Sequence, residues 1–186
     1  MLVSELRELV RHMEWADALV WRAVLAHPAA HADAPTRERL HHVHMVQWVY
    51  LQIWRGEPVA VPEASALPDL RAIRAWGRDF HAEASRFLDS LEDPALRRRI
   101  EFPWAPQLAE RFGSAETATL AETLLQVTSH SAYHRGQINA RLREIGGEPP
   151  LADFVAWIWM RRPGPPWDEP HAGPAGPPPA ERPSAG

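Results

Sequence analysis

The 186-residue chain carries 20 basic residues, all of them arginine, against 24 acidic ones, for a net charge of −4, and has neither cysteine nor lysine. The absence of cysteine excludes disulfides, thiolate nucleophiles, cysteine-held zinc and iron–sulfur clusters, and the absence of lysine excludes Schiff-base and P-loop chemistry. Any metal must therefore be held by nitrogen and oxygen, and with Arg97-Arg98-Arg99 as the longest basic run no nucleic-acid footprint is expected.

The length suits one domain with a real core. No basic start leads into a compact apolar run, and no stretch approaches the roughly 20 apolar residues that span a bilayer. The expectation is a soluble cytoplasmic protein with no membrane partner.

In chain order, residues 4–26 place Leu6, Val10, Met13, Ala16, Val20 and Val24 at helical spacing, with Pro28 just beyond. Thr36 is the expected N-cap of a second helix that runs to about Arg55 and stops at Gly56 and Pro58. After a proline-punctuated crossing, a third helix is predicted from Pro68 through Leu70, Ile73, Gly77, Phe80, Ala84, Phe87 and Leu91. The pattern then breaks. Arg99 to Phe102 reads as a short extended piece that Pro103 and Pro106 confine to an edge or a loop.

A fourth, long helix is predicted from near Ser114, with Leu120, Leu124, Val127, Ser131, His134, Ile138, Leu142 and Ile145 on one stripe before Gly146-Gly147. Residues 152–161 suggest a short fifth helix over one end. Residues 162–186 hold nine of the nineteen prolines and are expected to form a disordered tail outside the 1–161 bundle, with its His171 no ligand. The fold expected is an all-α four-helix bundle, the architecture in which metal sites are built between facing helices.

The residues that carry chemistry are histidines. His130 and His134 are four apart on the fourth helix, so both rings leave one face and can converge on one atom. Unpaired rings on a buried stripe cost about 1–3 kcal/mol each, and a shared metal removes that cost. A divalent ion of the zinc or nickel kind accepts such nitrogens but needs a third ligand from elsewhere. The dense segment is His41-His42-Val43-His44. Helical periodicity puts His41 opposite the apolar face and leaves His42 and His44 on its two flanks, with a slight preference for His42 from its flank neighbours Val46, Val49 and Ile53. Arg135 points off the ligand face and is expected to pair with an acid. Gln137 and Asn139 are read as capping groups or supports behind the ligands, and the nine tryptophans as packing.

Three pieces together resemble the DinB-like family of four-helix bundles, which includes bacillithiol and mycothiol S-transferases. They are Trp15-Ala16-Asp17 followed by Leu19-Val20, His42 leading to Gly56, and His130 to His134 continuing Arg135-Gly136-Gln137-Ile138, then Leu142-Arg143 and Gly146. The resemblance spans most of residues 1–160. It implies a metal held by His42, His130 and His134, with the register to Gly56 selecting His42 over His44. It departs from the family at Gln47, where an acid is frequent, which argues against an acid–base role there, and an aromatic, Tyr50, stands eight after His42.

Three protein ligands leave open positions, the mark of a catalytic site. The resemblance implies a metal-dependent transferase of a low-molecular-weight thiol, or a related hydrolase or isomerase, acting on a small molecule. Gln47, Tyr50, Tyr133 and Asp17 are candidates for the surrounding shell. The competing reading is a non-catalytic metal-binding stress-response bundle that acts through a homodimer or a protein partner, and solvent access to the site separates the two.

Overall fold

The computed structural model describes residues 1–168. Four long helices form the bundle: α1 (Val3–Ala26), α2 (Ala34–Arg55), α3 (Leu70–Asp89) and α5 (Leu120–Glu144). Helix α1 packs on α3 and α5, and α2 packs on the same two from the other side. Bonds from Trp54 to Thr123 (2.9 Å) and from Gln47 to Ser131 (3.0 Å) set α2 and α5 antiparallel. The architecture is the all-α bundle expected.

Helix starts are set by caps that differ from the expected ones by a few residues. Helix α2 begins at Ala34 because Asp33 is its N-cap, accepting from the Thr36 amide at 2.9 Å and the Thr36 hydroxyl at 2.6 Å. Thr36 is therefore the capped residue and is buried. Helix α3 begins at Leu70, since Asp69 accepts from the Ala72 amide at 2.8 Å. Helix α5 begins at Leu120 rather than Ser114, because Thr119 and Glu122 close a reciprocal capping box. The preceding residues Ala118–Thr119 (β2) pair antiparallel with Arg99–Ile100 (β1), the extended piece anticipated near Arg99. Between these strands lies a helix the sequence pattern did not suggest, α4 (Ala105–Phe112), none of whose residues is buried. Helices α2 and α5 end at Gly56 and Gly146, which adopt left-handed φ values of 72° and 86°.

The core has two apolar halves. One joins Leu6, Val10, Met13, Leu51, Trp54, Phe80, Leu88, Leu120 and Leu124. The other joins Val20, Trp21, Leu40, Val43, Ile73, Ile138 and Leu142. In register, a layer of buried polar side chains lies between them: Asp17, His44, Gln47, His81, Ser131 and Arg135.

The short helix α6 (Phe154–Trp159) lies against the middle of α1, where Trp157 packs on Trp15, Ala16 and Leu19, instead of covering a bundle end. The proline-rich segment that follows does not leave the bundle at residue 162. Trp167 is 5% exposed within the second core half, and its indole donates to Glu14 at 3.0 Å. Asp168 accepts two bonds from Arg78 at 2.7 and 2.8 Å. Residues 162–168 are thus a strap across α1 and α3, because one aromatic side chain outweighs the segment's low apolar content. The rest of the expected tail, His171 included, lies outside the described residues. No helix among those described is long and apolar enough to cross a membrane.

Replacing Trp167 with alanine is expected to lower unfolding free energy by about 3 kcal/mol, the scale of a buried aromatic truncation. Urea denaturation of the full chain measures it, and a change below about 0.5 kcal/mol, the ordinary surface value, would show that the strap is only laid on the surface.

Candidate metal centre

The groove between α2 and α5 brings His42, His130 and His134 together. One ligand atom from each lies within 4.8 Å of the others, and all three rings are half-buried. Ring centroids are 4.3 Å apart for His130 and His134, 4.6 Å for His42 and His134, and 5.3 Å for His42 and His130. The Nε2 atoms of His130 and His134 face each other at 3.1 Å. Two imidazoles on one ion at about 2.0–2.1 Å, with ligand angles between octahedral and tetrahedral, have nitrogens about 2.9–3.4 Å apart. The pair therefore already has the spacing of neighbouring ligands.

Electrostatics agrees with that geometry. Burial, then His134 and His42, push His130 down to about 4. Burial, then His134 and His41, lower His42 as well. At neutral pH both rings are uncharged and keep a free lone pair, the form a metal requires. An all-imidazole set suits zinc, nickel, copper or iron and not calcium or magnesium.

A second histidine-containing group, Asp17, His44 and His81, is also compact but fully buried. All of its polar side-chain atoms but one already have partners, the exception being His81 Nδ1, which is buried without one. Asp17 Oδ1 accepts from Arg135 at 2.7 Å, and Oδ2 accepts from Gln47 at 2.8 Å and is 3.0 Å from His81 Nε2. Burial alone would raise the Asp17 pKa, but Arg135, His81 and His44 together hold it well below the carboxylate range. His44 Nδ1 is 2.7 Å from Gln47 Oε1, and its Nε2 accepts from the Trp21 indole at 2.8 Å. Burial depresses His44 to about 4. A guanidinium on the carboxylate and a donor-only indole on the imidazole lone pair make this a hydrogen-bonded core layer, not a metal site. Space for the His44 ring exists because residue 77 is glycine: a Cβ there would lie 2.4 Å from the ring. The two histidines that periodicity left open on α2 thus go to different places, His42 to the groove and His44 to the core.

The remaining candidates divide in the same way. Asp17 and Gln47 belong to the core layer, where Gln47 also donates to Ser131. Arg135 pairs with an acid, Asp17. Tyr133 is 64% exposed and stands edge-on to His134 at 5.1 Å. The Tyr50 ring packs with Trp54, Phe102 and Trp104. His41 bonds the Pro62 carbonyl at 3.1 Å and stacks on Trp76. Gln137 meets His134 directly, its Oε1 lying 2.8 Å from His134 Nδ1, whereas Asn139 Oδ1 is buried without a partner. His81 was not singled out by sequence, because one histidine between Phe80 and Ala84 carries no spacing signal.

Residues 1–170 match the family model described as the DinB family. No curated protein matches the chain.

Changing Arg135 to leucine would leave the Asp17 carboxylate buried without its main counter-charge. A loss of about 3–5 kcal/mol is expected, the scale of a broken buried pair. Chemical denaturation at pH 7 measures this, and a loss near zero would mean that Asp17 is not charged in the folded chain. Gly77→Ala is expected to cost about 1–3 kcal/mol by overpacking against His44, read as a lower denaturation midpoint.

Proposed function

The chain belongs to the DinB family, and from that premise we propose that it is a metal-dependent enzyme whose single divalent ion, zinc or nickel, is held by His42, His130 and His134. The observation that carries the reading is the pair of facing Nε2 atoms at 3.1 Å with His42 closing the third corner. That spacing is one a single ion can bridge, and a third imidazole beside it completes the set a three-histidine site requires.

When bound, the ion supplies Lewis acidity to a water or thiol admitted on its open side. The chain's part is to hold three imidazole donors and leave room. The rings are half-buried and not fully buried, which supports a site that exchanges ligands over a closed structural one. The donor set carries no negative charge, so an ion there keeps its full double charge and favours an anionic incoming group. A low-molecular-weight thiol, which binds as thiolate, fits that preference. Transfer of such a thiol to a small electrophilic molecule is the reaction proposed, with a related hydrolysis or isomerisation at the same site as its near variants.

Elemental analysis of tag-free protein is expected to find about one zinc or nickel ion per chain, and His130→Ala/His134→Ala to lose it while the helical far-UV spectrum persists. Absence of metal after reconstitution would overturn the reading. With metal established, a thiol adduct that forms on an electrophile only in the metal-loaded protein is the expected activity. Failure across a panel of thiols and electrophiles would leave a metal-binding bundle without this chemistry.

A further inference from the structure

Each of the two histidine groups contains a histidine followed three residues later by a glutamine, and in each pair the ring nitrogen and the amide oxygen meet. The His44 Nδ1 to Gln47 Oε1 distance is 2.7 Å, and the His134 Nδ1 to Gln137 Oε1 distance is 2.8 Å. The spacing puts both members on one helix face.

The buried pair shows what the arrangement does. Gln47 has no freedom to present its amide the other way, because its NH2 group donates to the Asp17 carboxylate and to the Ser131 hydroxyl. Its oxygen therefore faces His44 and can only accept, so His44 Nδ1 carries the hydrogen. The consequence appears at the far side of the ring. Nε2 is left as a lone pair, and it receives the indole N–H of Trp21, a group that only donates.

From this parallel we infer that Gln137 is a positioning residue. It accepts from His134 Nδ1–H, fixes that tautomer and ring angle, and so presets His134 Nε2 as a donor toward the metal before any ion arrives. The inference takes the metal reading above as its purpose. Among the described residues no such protein acceptor meets His42 or His130, and His130 bonds only to the Nε2 of His134. The site is therefore built asymmetrically: His134 is the fixed ligand, and the other two rings settle around the ion it has placed.

The test uses the full chain as wild type, Gln137→Leu and Gln137→Glu. Long-range ¹H–¹⁵N spectra of the metal-free protein report the tautomer of His134, and chelator competition with zinc reports affinity. In the wild type His134 is expected as the Nδ1–H form. Gln137→Leu should shift the ring toward the Nε2–H form and weaken zinc binding by about 10–100-fold, the usual effect of losing such a support. Its thermal midpoint should stay close to wild type. Gln137→Glu, which keeps an acceptor at the same place, should restore both the tautomer and the affinity. A wild-type His134 in the Nε2–H form would overturn the inference, as would a Gln137→Leu protein that binds zinc as tightly as wild type. Wild-type protein that takes up no zinc would instead sink the proposed function, and the tautomer would then decide this inference alone.

Discussion

The structure turns on the Asp17 carboxylate. It is 3% exposed, yet it receives a guanidinium from α5, an amide from α2 and an imidazole from α3. A charge at that depth is tolerable only when neutralised and hydrogen-bonded, so the four long helices must meet there in one register. The constraint reaches the groove through short steps along each helix. Ser131 and Arg135 follow His130 and His134 by one residue, and His44 follows His42 by two. Tying the former to Asp17 or Gln47 turns His130 and His134 outward on one flank of α5, and seating His44 in the core turns His42 toward that flank.

Two groups of histidines thus have opposite fates within one bundle. In the core layer both nitrogens of His44 and the Nε2 of His81 are taken by fixed partners, and their neighbours include a carboxylate and a guanidinium. In the groove the rings face one another, and burial and the neighbouring imidazoles hold His130 and His42 below the usual histidine range. The first arrangement has satisfied nearly all of its polar atoms within the chain. In the second, His134 Nδ1 has Gln137, and His42 has no hydrogen-bond partner among the described residues.

Much of this was legible in the sequence. The helical spacing of apolar residues locates the four long helices, because burial of one face is what makes them stable. The i, i+4 pair at His130 and His134 needed no tertiary information. The choice between His42 and His44 did, since both sit on flanks of α2 and the outcome depends on the space opened by Gly77 on α3. Periodicity slightly favoured His42, and the family register singled it out. Helix starts were missed by a few residues because Thr36 resembles a cap as much as Asp33 does. Helix α4 was missed because it is only eight residues long, with Pro103 before it and Pro106 in its first turn, so its short stripe of Ala105, Leu108, Ala109 and Phe112 reads as a loop. Trp167 was missed because composition averages over a window, whereas burial is decided by single side chains.

The strap also bears on the order in which the fold can be completed during synthesis. Glu14 and Trp167 are 153 residues apart, and Arg78 and Asp168 are 90 apart. All four long helices have left the ribosome before these contacts can form, and until then the groove between α1 and α3 keeps an apolar slot open over His81, whose ring lies 5.8 Å from that of Trp167. Closing the α1–α3 side of the bundle therefore depends on contacts of high sequence separation, whereas the contacts among its four long helices need only the residues up to Glu144.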